Sequence, residues 1–241
     1  MWSICKKEWS QFFSNLTGYL SIVLFLLING LFLFVLPDTN IFDYGYASLE
    51  KFFDLAPWIF LFLIPAISMR SLADEFKTGT FETLKTKPIT ALQIAMGKYF
   101  SILLITMVVL LPTSIYVFTI NALSVNGQID TGGIIGSYIG LFLLAAVYAA
   151  IGLFCSALSS NAVVAFLFSA FVCLLLYFGF NAISKIPALQ GSADYYIEML
   201  GIDFHYRSMS RGVIDTRDVV YFLSIIILSI HLTAKKLQHK K

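Results

Sequence analysis

Residues 70–88 read RSLADEFKTGTFETLKTKP and decide how the chain is laid out, because this charged run separates two of its most apolar stretches. Arg70, Asp74, Glu75, Lys77, Glu82, Lys85 and Lys87 must meet water or each other, since an unpaired charge in an apolar medium is very costly. The run divides at Gly79. Arg70 to Lys77 continue the preceding helix, Gly79 reads as its C-terminal glycine, and Thr80 reads as the cap of a second short helix with Glu82 in its first turn. Pro88 stops that helix. Thr90 with Gln93 forms a capping box and Ile89 with Ile94 a hydrophobic staple, so a third helix starts there and enters the next apolar run.

The rest of the chain sets this hairpin against a membrane. Of 241 residues, 59% are hydrophobic and only 12% charged, and 23 are Phe; soluble domains carry roughly 25% charge. With a mean hydropathy of +0.84, the chain reads as an all-α integral membrane protein. A spanning helix needs ~20 mostly apolar residues, and six segments qualify, at about 19–36, 53–69, 99–120, 134–156, 162–183 and 219–233. The last borrows length from the snorkelling stems of Lys235 and Lys236. Residues 1–241 make one domain. No small-residue cleavage site follows the first apolar run, which reads as a retained anchor.

Six crossings put both ends on the side of the 70–98 loop. That side collects Lys6, Lys7, Arg70, Lys77, Lys85, Lys87, Lys98, Lys235, Lys236, Lys240 and Lys241 against Glu8, Asp74, Glu75 and Glu82, whereas carboxylates outnumber basic residues in the opposite loops. The positive-inside rule places the basic side, with both termini, in the cytoplasm. Residues 1–15 read as a helix lying in the interface, with Trp2, Cys5, Trp9, Phe12, Phe13 and Leu16 on one side and Lys6, Lys7 and Glu8 on the other. On the outer side, residues 184–217 are long enough for short helices, Ser192 capping one that Gly201 ends.

Several chemistries are excluded. A net charge of +2 without a basic aromatic stripe argues against nucleic acid. Cys5, Cys155 and Cys173 are isolated and outline neither a disulfide framework nor a metal site. No span has an acidic or basic residue near its middle, which disfavours ion-coupled transport; His231, near the end of the last span, reads as packed or interfacial. No strained serine turn, HExxH motif or GxxxxGK[ST] phosphate loop is present, so ATP hydrolysis would belong to another polypeptide. Gly136, Gly140, Ala145 and Ala149 give the fourth span a small-residue face, for close packing either within the chain or between subunits. Pro65 and Pro112 should bend the second and third spans. By its residues alone, the hairpin is either a docking element for a soluble partner or a solvated loop.

Arg70, Glu75, Gly79-Thr80-Phe81-Glu82-Thr83-Leu84, Pro88 and Gly97-Lys98 resemble the signature of ABC-2 type transporter permeases, the membrane subunits of ATP-driven exporters of the type V architecture. The resemblance extends to the amphipathic start, the six spans, and SRGVIDTRDVVYFLS, with Arg211, Gly212 and Asp215, before the last span. Within that family the chain is similar to the gliding-motility permeases of Bacteroidota, the GldF type. The resemblance implies that Arg70, Glu75, Gly79, Thr80, Glu82, Leu84 and Pro88 form a coupling helix that fits an ATPase subunit. It also implies that Trp2, Lys6, Lys7, Trp9 and Phe12 belong to a connecting helix beside it. The implied protein is non-enzymatic and holds no metal or cofactor; ATP and Mg sit on a GldA-like ATPase. A GldG-like second membrane subunit or another copy of the chain completes the complex in the bacterial inner membrane. An ABC-2 exporter of a small or lipidic molecule is the alternative, and a secondary transporter a weaker one.

Overall fold

The computed structural model describes residues 1–36, 41, 48–124, 129–187, 191 and 194–240. All elements among them are helical. Helix α1 (Trp2–Phe13) turns by 69° into α2 (Leu16–Phe34). The second span is α3 (Glu50–Ser68), followed without a loop by α4 (Arg70–Thr78) and then α5 (Thr80–Lys85). The third is α6 (Ala91–Leu110), a 3₁₀ turn at Leu111–Thr113 and α7 (Ser114–Leu123). The fourth is α8 (Thr131–Leu158), and the fifth is α9 (Ala162–Leu174), a π turn at Leu175–Gly179 and α10 (Phe180–Ser184). Short helices α11 (Asp194–Glu198) and α12 (Ile202–Met209) precede the last span, α13 (Thr216–His239).

Among the described residues five helices are long and apolar enough to cross a membrane, and the bent pair α1–α2 makes six if it is counted as one span. The last span is one helix of 24 residues, longer than its apolar run, and continues past Lys235 and Lys236. The capping box at Thr90 is present: Gln93 N–H donates to Thr90 Oγ1 and Thr90 N–H to Gln93 Oε1. Ser192 lies outside the described residues. Gly201 does not end a helix but caps the start of α12.

Helix α8 is the centre of the bundle, packed by α13, α3, α9 and α6. Its small residues make this possible. Gly136, Gly140, Ala145 and Ala149 are all buried inside the single chain, so this face serves intrachain packing and is not a subunit surface. A Cβ on Gly136 would come within 2.7 Å of Gly212 Cα, and one on Gly140 within 2.6 Å of Met209 Cβ. Only backbone-close contact satisfies those positions.

The prolines are accommodated individually. Pro112 sits in the 3₁₀ turn. Pro57 and Pro65 both lie inside α3. Pro57 has no N–H for the Phe53 carbonyl, and the Tyr206 hydroxyl of α12 supplies the missing bond at 2.7 Å. The helix break comes four residues after Pro65, at Met69.

Candidate functional site

The charged stretch folds as a helix, a turn and a second helix at the end of the bundle where the chain's N-terminal helix and its C-terminal end also meet. Helix α4 begins with its free N–H groups already engaged. Leu72 and Ala73 N–H donate to Ser156 Oγ of α8 at 3.0 and 3.1 Å, and Ser156 donates to the Met69 carbonyl at 2.8 Å. A serine from another span thus caps α4 where the second span breaks, using both lone pairs and the proton of its hydroxyl.

Gly79 ends α4 in the left-handed region, φ +72°. Thr80 does not cap α5. Gly79 occupies the cap position, and Thr80 is the first helical residue, its hydroxyl 3.0 Å from that of Thr78. The two helices close on an apolar seam, with Phe76 and Phe81 edge to face at 5.0 Å. Above the seam, Lys77, Gly79, Thr80, Glu82, Lys85, Lys87 and Pro88 are exposed and Leu84 is half-buried. The other end of the chain braces this hairpin: the Lys240 ammonium lies 3.1 Å from the centre of the Phe76 ring, and its carbonyl accepts a hydrogen bond from Lys85.

Glu75 points the other way. Its Oε1 receives Lys98 Nζ at 3.0 Å and Lys7 Nζ at 2.9 Å. Lys98, on α6 and fully buried, also donates to Glu8 Oε1 at 2.8 Å and to the Ser71 carbonyl at 2.6 Å. One cluster therefore joins α1, α4 and α6. Burial alone would lower the Lys7 pKa, but its hydrogen bond to Glu75 and the charges of Glu75 and Glu8 outweigh this and raise it. The ammonium stays charged.

This geometry corrects the reading of α1. Lys6 and Lys7 are exposed as expected, but Glu8, opposite the aromatics on the helical wheel, is drawn into the cluster, and the tip of Lys7 reaches it from solvent. The buried face is Ile4 and Cys5, seated on Gly97, where a Cβ would meet Ile4 Cβ at 3.1 Å. Trp2 is exposed, while Trp9 and Phe12 are half-buried. Of the expected coupling residues, Gly79, Thr80, Glu82, Leu84 and Pro88 belong to the crest, Glu75 to the buried root, and Arg70 to a cleft against α1. Glu8, Ser71, Lys98 and Ser156 were not singled out from the sequence as site residues. Only Lys98 carried a signal, as a lysine interrupting the apolar side of α6.

At the opposite end, Gly212 has φ +82° and lies against Gly133, and Asp215 caps α13 by accepting from Arg217 N–H at 3.0 Å. Arg211 lines a cleft of about 490 Å³ there with Arg207, Arg217 and a buried pair, His205 Nδ1 2.6 Å from Asp218 Oδ1, that the sequence reading missed. Arg207 forms ion pairs with Asp203 and Glu198. Among the described residues no three His, Cys, Asp or Glu side chains gather where a metal could bind.

The family model described as ABC-2 family transporter protein matches residues 36–230. No curated protein matches the chain.

Proposed function

We propose, from the premise that this chain belongs to the ABC-2 transporter family and is one of its membrane permease subunits, that the hairpin crest is the docking surface for the ABC ATPase. The observation that carries this reading is the division of the hairpin into an exposed, mixed-charge crest and a root fastened to three helices. Glu82, Lys85, Lys87, Thr80 and Pro88 are exposed to a partner, while Ser156 and Lys98 hold the base. An element anchored in this way moves as a body when pushed. Its displacement reaches α8 through Ser156, and α6 and α1 through Lys98.

In this reading both termini and the hairpin face the cytoplasm across the bacterial inner membrane. The ATPase subunits bind ATP and Mg, close on one another and push the crest, and the spans respond by moving cargo or transmitting force. Residues 70–98 and 204–218 resemble ABC-2 permeases generally, and within that family the similarity of the chain to the gliding-motility permeases favours a motility complex, with a GldA-like ATPase and a GldG-like second membrane subunit or another copy of this chain. An ABC-2 exporter of a small or lipidic molecule would use the same hairpin with a different cargo.

Glu82→Lys tests the docking role, because it reverses charge on the exposed crest without touching the root. The variant should lose co-purification of the ATPase in detergent while its helices melt as in the parent; retained ATPase with full stimulated turnover would overturn the proposal. Identification of the proteins that co-purify from native membranes separates the motility complex from an ordinary exporter.

A further inference from the structure

A second site lies beside the hairpin root. Between the α1–α2 elbow, the α3–α4 junction and the first half of α6 is a cavity of about 290 Å³, close to the lower end of small-ligand pockets. Part of its wall is apolar, formed by Leu20, Ile67, Ile102 and Ile105, and the mutually paired Lys98 and Glu8 line it as well. Its mouth is polar and carries Arg70 and Asp74, which also border an adjoining hydrophilic cleft of about 540 Å³. The lining thus changes from hydrocarbon to charge over one cavity, as the boundary of a membrane does.

Glu8 and Asn15 in this lining are already bonded, to Lys98 and to the Gln11 carbonyl. Arg70 and Asp74 lie one helical turn apart on α4, yet neither forms an ion pair among the described residues. In the same lining the hydroxyls of Ser71 and Ser101 are buried, Ser101 at 1% exposure, and among the described residues have no hydrogen-bond partner. A buried hydroxyl left unpaired costs about 1–3 kcal/mol. Two such donors beside a free guanidinium call for an acceptor with several oxygens.

We propose that this cavity binds a phospholipid of the adjacent leaflet, one with a zwitterionic headgroup bearing a primary amine. The phosphodiester oxygens accept from Ser71, Ser101 and Arg70, the ammonium donates to Asp74, and an acyl chain lies along Ile102, Ile105 and Leu20. The charges select the headgroup. One free cation and one free carboxylate match a zwitterion, whereas an anionic glycerol headgroup leaves Asp74 uncompensated and a choline headgroup has no N–H to give it. The site is separate from the exposed crest, and its test needs no ATPase.

The full chain, stripped of lipid in detergent, is exposed to vesicles of phosphatidylethanolamine, phosphatidylglycerol or phosphatidylcholine, and the lipid retained is weighed by native mass spectrometry. One phosphatidylethanolamine should be retained over the other two by roughly tenfold, the effect of one charge-assisted hydrogen bond. Asp74→Lys, at a half-exposed position, should shift the preference to phosphatidylglycerol, and Ser101→Leu should abolish retention. Soluble glycerophosphoethanolamine at equal concentration should not displace the lipid; displacement would identify a soluble ligand and overturn the assignment. Equal retention of the three lipids, or a preference unchanged by Asp74→Lys, also overturns it.

Discussion

Lys98, with no exposed surface, places its ammonium 3.0 Å from Glu75 Oε1, and through that contact the third span holds the root of the hairpin. The same ammonium reaches Glu8 on α1. Removing one member of a buried ion pair leaves the remaining charge poorly compensated at a cost of about 3–5 kcal/mol, and because Lys7 stays beside Glu75 the lower end applies. Lys98→Ala should therefore lower stability in detergent by that amount and loosen residues 70–78, read as faster amide exchange. Lys7, whose side chain is 55% exposed, is a control: Lys7→Ala should cost no more than about 1 kcal/mol.

Ser156→Ala removes the cap that α8 lends to α4. Two N–H groups and one carbonyl lose their partner in a buried position. A loss of about 1–3 kcal/mol is expected, with amide exchange accelerated at Leu72 and Ala73 first. Equal acceleration along all of α8 would show instead that the serine merely packs.

Gly79→Ala isolates backbone strain from packing, because no atom lies within 4 Å of where its Cβ would stand. At φ +72° the alanine should still cost about 1–2 kcal/mol, and Gly79→Asn less, since asparagine tolerates this region. Thermal melts of the two variants give the comparison. Identical stability for alanine and glycine would mean that the turn relaxes.

Gly136→Ala and Gly132→Ala form a matched pair on α8. The first sets a methyl 2.7 Å from the Gly212 Cα, backbone that cannot move aside as a side chain would. The second meets only Asp130 Oδ1, at 3.6 Å. Gly136→Ala should cost about 1–3 kcal/mol and Gly132→Ala within about 0.5 kcal/mol of nothing, as measured by unfolding in one detergent.

Much of the hairpin was legible from its own residues. Gly79 in the left-handed region, the capping box at Thr90 and Gln93, and the stop near Pro88 all act over a few positions, so the chain displays them wherever it is folded. Thr80 was misread for the same reason: its type suits a cap, but the glycine before it already made the turn. Glu8 was grouped with Lys6 and Lys7 opposite the aromatics because a helical wheel knows nothing of Lys98. The small-residue face of α8 left two partners open until Met209 and Gly212 were seen to fill it.

The sequence by itself therefore determined the membrane class, the apolar runs that cross, and the break of the charged stretch into short helices, because hydropathy and capping are local properties. Only the tertiary structure decided which charges are buried and what each span holds. The Ser156 cap on Leu72 closes over 84 positions and the Lys98–Glu8 bond over 90. Such pairings depend on how the helices stack around α8, and no periodicity within either helix encodes them.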